Sequence, residues 1–72
     1  MQNREKLRLY ALDELFDSEL YSRLAVREKN DANRGLLEEL ARVERAHYEF
    51  WSELLGKRLE LGVKERVRLA IL

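Results

Sequence analysis

The sequence predicts an all-α chain: an antiparallel two-helix hairpin with a short C-terminal helix, pairing with a second chain into a four-helix bundle. Three observations predict it. The 72 residues contain no Pro and only 3 Gly, so the turn residues that punctuate sandwiches and barrels are missing. Two long segments are dense in Leu, Ala, Glu, Arg and Lys and carry apolar residues at helical spacing. The single internal cluster of turn residues, "NDANRG" (30–35), stands between them.

The elements follow in order. The first helix is expected over about residues 4–29, with nothing inside it to break it. Asn30 or Asp31 is a good N-cap, so the second helix starts at Asp31 or Ala32 and runs to about Leu61. Gly56 falls inside that span and Gly62 reads as its stop. "VKERVRLAIL" (63–72) is a short third helix. Two long helices joined by a short turn form an αα-hairpin, and the chain is one domain.

Composition bounds the function. Lys+Arg and Asp+Glu number 14 each, so net charge gives no reason to expect nucleic acid or an acidic membrane as partner. With no Cys there is neither a disulfide nor a thiolate metal site. The lack of a secretory signal favours the cytoplasm, and no apolar run approaches the ~18 residues of a membrane span. A core from fewer than about 80 residues seldom suffices alone. Oligomerisation, a metal or further sequence beyond Leu72 must supply the remainder.

The helix faces carry the chemistry. On the second helix Leu36, Leu37, Leu40, Val43, Tyr48, Phe50, Trp51, Leu54 and Leu55 fill one half of the circumference. Glu38, Arg42, Arg45, Glu49, Ser52 and Glu53 fill the other. Glu44 and His47 nevertheless fall in the apolar half, in a heptad seam reading Leu37, Leu40, Glu44, His47, Trp51, Leu54. The first helix has a matching seam: Leu7, Tyr10, Glu14, Asp17, Tyr21, Leu24. Glu14 stands about as far before the turn as Glu44 and His47 stand after it, which puts the three within about one helical turn of the same height in the hairpin. A second patch on the first helix, Leu9, Leu12, Phe16 and Leu20, faces away and reads as an association site.

A carboxylate in apolar packing costs several kcal/mol, of order, unless it is paired or ligates a metal. Glu and His three apart on a helix can share one ion, and Glu14 adds a third ligand. Dinuclear carboxylate bundles use one Glu from each of two helices and Glu-x-x-His from each of the other two. One hairpin holds half of that set, so two copies complete it. One imidazole per ion beside hard carboxylates suits Fe or Mn, and Zn fits without redox activity. On the bland side, His47 is a histidine with a backbone partner, and Glu44 pairs with Arg58 or a neighbouring chain's arginine. Asp17 is either a further ligand or a solvated rim residue. Tyr10, Tyr48, Phe50 and Trp51 read as core aromatics, and Glu19 with Arg23 as an i,i+4 pair. The third helix has little of a membrane-surface element about it and reads as an assembly contact or the start of a continuation.

The run "DELFDSELYSRLA…EELARVERAHYEFW" resembles the ferritin-like superfamily, especially rubrerythrin-type domains. There a ligand Glu on the first helix is followed by Tyr seven residues later, as Glu14 is by Tyr21, and Glu-x-x-His matches Glu44 and His47. The interval of 30 from Glu14 to Glu44 is similar to that of half-size ferritin-like proteins held in encapsulin shells. "ELYSRLAVREKN" and "AHYEFWSELLGK" resemble the ferritin-like domain preceding vacuolar-iron-transporter-type membrane proteins. The resemblance implies a dinuclear iron site at a homodimer interface, with one ion per chain and ferroxidase activity toward Fe(II), O2 or peroxide being the oxidant. It implies Glu44 as the bridging ligand, Glu14 and His47 as terminal ligands, and Tyr21 as a hydrogen-bond donor orienting a carboxylate. It further implies iron storage or detoxification, with an encapsulating shell, a larger ring or a membrane transporter as partner. A full domain of that family has four core helices and a second motif, both absent from this chain. The alternatives are a non-enzymatic helical-bundle assembly module, whose seam Glu and His set register, and the N-terminal fragment of a larger iron-transport or rubrerythrin-like protein.

Overall fold

Asparagines start both long helices. In the computed structural model, which describes residues 3–72, Asn3 accepts a hydrogen bond from the Lys6 N–H and opens α1, Arg4–Arg27. Asn30 accepts from the Asn33 N–H at 2.9 Å and opens α2, Asp31–Leu55. These oxygens satisfy amide donors that have no partner within the first turn. Residues 28–30 alone separate the two helices, so they fold back into the expected hairpin. The third helix, α3, spans Val63–Ala70, and no strand occurs among the described residues.

The second helix is shorter than the sequence suggests. It stops at Leu55, because Gly56 adopts φ 77° and its N–H turns to the carbonyls of Ser52 and Glu53. The Ser52 hydroxyl donates to the Lys57 carbonyl and holds the chain in its exit path. Glycine enters the left-handed region without the Cβ clash other residues meet, so Gly56 is a terminator, where a place inside the helix was expected. Gly62, expected as the stop of α2, is instead the residue that precedes α3. Residues 56–62 form a linker.

The hairpin core also lies one helical position away from the expected seam. It is built from Leu7, Ala11, Leu15, Ser18 and Ala25 of α1 against Ala41, Tyr48, Ser52 and Leu55 of α2. Small side chains at Ala11, Ser18, Ala25, Ala41 and Ser52 let the two backbones come close, which larger seam residues would prevent. Ser52, placed on the polar face by the helix wheel, is buried, and so is Ser18. Each hydroxyl donates to a backbone carbonyl, so burial strands no polar group.

Tyr48 ties the linker to this core. Its side chain is buried, and its hydroxyl both donates to the Leu59 carbonyl and accepts from the Leu59 N–H. Leu59 and Leu61 then pack against the core cluster, and α3 buries Leu69. Arg45 and Arg58 lie over the Tyr48 ring at 5.5 and 5.3 Å. Arg58 pairs with Glu49 through both its terminal nitrogens, at 2.7 and 2.9 Å, so the alternative Glu44–Arg58 pair is not made. The linker and α3 also cover part of the outward patch of α1. Leu12, Phe16 and Leu20 are half-buried, Arg68 lies over the Phe16 ring at 5.2 Å, and Leu9 remains exposed. The chain itself therefore covers that patch in part, and Leu9, Leu12 and Phe16 line an open cleft between α1 and the linker.

Candidate metal centre

The flank of the hairpin beside the core brings Glu14, Glu44 and His47 together. Their positions in α1 and α2 differ from the core positions by one residue or a turn, so they project to one side of the contact line. His47 Nδ1 lies 3.1 Å from a Glu14 carboxylate oxygen and 3.1 Å from a Glu44 carboxylate oxygen. One donor atom from each of the three residues falls within a sphere where all lie within 4.8 Å of one another. The height match expected from the spacing about the turn is met, since a contact reaches from residue 14 to residue 47.

The environment differs from the expectation in one respect. These groups are not sealed in the hairpin's interior: the Glu14 and Glu44 side chains are 25% and 21% exposed, and His47 is 54% exposed. The reason is the displaced seam, which gives the interior to alanines and serines and leaves the polar trio on its edge. The side chains converge on one another rather than toward solvent separately.

Electrostatics of the trio follow from that geometry. Burial, then the neighbouring Glu44 carboxyl, pushes the Glu14 carboxyl above its ordinary range, and His47 partly offsets this. Hydrogen bonds to Glu14 and Glu44 raise the His47 imidazole above its ordinary value. Asp17, one turn from Glu14, is half-buried and also pushed up, by burial and then by the charges of Glu44 and Asp13. It belongs to the same acidic neighbourhood but not to the three-donor cluster. Tyr21 lies two turns along α1 from Glu14 and, among the described residues, donates no hydrogen bond to the cluster; the orienting contact implied for it is not made within one chain.

Two aromatics wall the trio on the side toward the helix ends. Tyr10 precedes Glu14 by one turn, Trp51 follows His47 by one turn, and their rings meet at 5.4 Å and 47°. Phe50 packs edge-on against Trp51 at 5.3 Å yet is itself exposed. Of the four aromatics expected in the core, only Tyr48 is fully there; Tyr10 and Phe50 sit on the open flank with Leu36 and Leu54. A helix wheel identified these residues as apolar, but one partner helix covers only part of a half-circumference arc.

The arrangement thus defines a class by geometry: a helical hairpin with a two-carboxylate, one-imidazole cluster across its helices. The chain matches no protein-family model, no curated protein and no solved structure.

Proposed function

We propose that this chain binds a divalent metal through Glu14, Glu44 and His47, and that two copies join across this flank into a four-helix bundle holding two ions. The reading carries the resemblance to ferritin-like proteins with it: the ion is iron, and the protein is a ferroxidase serving iron storage or detoxification. One observation supports it above others. Three donors from two helices already stand at separations of 3.1 Å on two edges. Ligands about 2.1 Å from a shared ion lie about 3 Å apart when they subtend a right angle. An ion replacing the shared proton therefore requires little movement.

The donor chemistry fits the group. Two carboxylates balance one divalent charge, and a neutral imidazole adds a donor without adding charge. The exposed apolar flank around the cluster (Leu36, Phe50, Leu54 and Tyr10) is what a second hairpin would bury, and that burial removes water from the ions. When bound, an iron pair supplies one-electron oxidation from Fe(II) to Fe(III), with O2 or peroxide as acceptor. In this reading Glu44, as the bridging ligand, and Glu14 and His47, as terminal ones, would hold the ions, and the aromatic pair Tyr10–Trp51 keeps bulk water from one side. Tyr21, which makes no hydrogen bond among the described residues, would orient a carboxylate of the second. A shell, a ring or a membrane transporter would receive the Fe(III).

Anaerobic titration with Fe(II), followed by metal analysis after desalting, tests the reading. About one iron per chain is expected, falling to background in Glu44→Ala and in His47→Ala. Background iron in the unaltered protein would overturn it.

A second reading has an observation of its own. The three side chains satisfy one another without any ion, and no buried polar side-chain atom among the described residues lacks a partner. The cluster then acts as a register-setting ion pair in a helical assembly module. Iron content separates the two readings.

A further inference from the structure

We infer that two copies pair by laying α2 antiparallel on the partner's α2, in the register that sets Leu36 opposite the partner's Leu54. This contact belongs to the bundle proposed above and rests on that reading. A second seam on α2, distinct from the one packed on α1, carries it. Leu36, Leu40, Val43, His47, Phe50 and Leu54 recur at intervals of 4, 3, 4, 3 and 4, which is the spacing of a coiled-coil contact line. At 3.6 residues per turn this line lies about 130° around the helix from Ala41, Tyr48, Ser52 and Leu55, the buried side of α2. Its members are open in the single chain. Leu36, Phe50 and Leu54 are 60%, 59% and 52% exposed, His47 is 54% exposed, and Leu40 and Val43 are half-buried.

Symmetry selects the occupant. The spacing reads the same from either end, about position 45. In a twofold contact, where residue i meets residue j, j also meets i. Laid antiparallel about position 45, Leu36 meets the partner's Leu54, Leu40 the partner's Phe50, and Val43 the partner's His47. The largest ring then faces a leucine, and the imidazole faces a valine. Parallel pairing would set Phe50 on the partner's Phe50 and Val43 on the partner's Val43, alternating crowding with gaps. It would also align two helix dipoles that antiparallel packing opposes. The edges of the seam agree with the antiparallel choice. On one edge Leu37 meets the partner's Trp51, and both are half-buried in the single chain. Glu44 shares that edge and stands at the axis beside the partner's Glu44, so the two clusters come together there. On the other edge Ala46 meets the partner's Ala46, which lets the backbones approach. Beyond it Glu39 is paired with Arg42, so the partner's Glu53 meets a neutral ion pair and not a bare carboxylate.

The face is also large enough. The 25 residues of α2 extend about 37 Å. With α1 beside it, each helix about 10 Å across, the flank covers about 700 Å². That is near the ~800 Å² each partner buries in a standard interface. A foreign amphipathic helix would bury a single groove and would have no use for a seam that is its own complement.

The chain has no Cys, so disulfide trapping of the metal-free protein tests the register. Helix axes 8–10 Å apart leave about 4–6 Å between facing Cα atoms, a span that a disulfide bridges. Leu36→Cys and Leu54→Cys, refolded together and treated with a mild thiol oxidant, should give a covalent heterodimer. Neither variant alone should trap itself, because the two copies of one position then stand about 27 Å apart along the helix. Leu40→Cys with Phe50→Cys should behave in the same way. Trapping should be at least about tenfold faster than for Glu38→Cys with Leu54→Cys, since Glu38 is exposed on the polar face. Unchanged circular dichroism of each variant verifies that the fold is kept. Self-trapping of Leu36→Cys would mean parallel helices and overturn the register. A sedimenting dimer in which neither mixture traps would overturn it as well, while leaving the pairing of two copies in place. A monomer would overturn both. Iron content is measured separately on the unaltered chain: background iron beside intact trapping would remove the metal and keep the register.

Discussion

His47 is the residue on which the trio turns. It lies 3.1 Å from both carboxylates through one nitrogen, so a proton on Nδ1 would be shared by Glu14 and Glu44 in the metal-free chain. Its folded-state pKa lies above the ordinary 6.5, and the stabilisation it gives is therefore complete below that value and lost as pH rises through the raised one. Glu14 shifts in the same sense from 4.5, so the folded chain holds its proton more firmly and loses that advantage as the carboxyl ionises. Glu5, Glu39 and Glu49 shift down beside arginines, but they are surface pairs whose influence lies below about pH 4.5. The metal-free chain should then melt at progressively lower temperature from mildly acid to mildly alkaline pH. His47→Gln should flatten the slope, as followed by circular dichroism. A melting temperature that rises over this range would contradict the shared proton. A saturating divalent metal should reverse the slope, because binding requires the deprotonated ligands.

At the scale of elements, the linker is the part a sequence reading handles worst, and Tyr48 is why it is ordered. One phenol hydroxyl satisfies both backbone groups of Leu59, which lets Leu59 and Leu61 reach the core and lets α3 settle through Leu69. Tyr48→Phe removes both bonds while keeping the ring. Leaving two partly buried backbone groups without partners should cost about 1–3 kcal/mol. Urea unfolding would measure it, and faster amide exchange across residues 56–62 than within α1 and α2 would locate it. Equal protection of all elements would mean that Tyr48 contributes only its ring. Nothing in the spacing of Tyr48 marks it as an anchor; on a helix wheel it is one of several apolar-face aromatics.

For the molecule as a whole, the open flank decides between a single hairpin and a bundle. The hairpin's own core is narrow and composed largely of alanines, serines and leucines, while Leu36, Phe50, Leu54 and Tyr10 remain in water. Burying them in a twofold contact would add hydrophobic stabilisation at about 25 cal/mol per Å² of apolar area. Sedimentation should accordingly give a dimer at micromolar concentration, with Phe50→Asp or Leu54→Asp returning it to a monomer that retains its helices. A unaltered chain that stays monomeric with and without Fe(II) would remove the bundle from the account. The same scale explains the small-chain difficulty: the polar trio is tolerable at an edge, and a second chain can bury that edge only if its charge is compensated.

The amino-acid sequence alone determined the order of the three helices, a cap for the second at Asn30 or Asp31, the hairpin, and the co-location of Glu14, Glu44 and His47. These follow from local rules: capping, helical periodicity and equal distance from one turn. Only the tertiary structure decided which apolar positions face inward, because that depends on how closely two particular helices approach. Small residues won those positions, which moved the seam and brought the trio to the edge. Tertiary structure also decided that Gly56 ends α2 and that Arg58 pairs with Glu49. Whether a glycine adopts positive φ, and which charges find partners, is settled by contacts between segments distant in the chain, and no periodicity within one segment records them.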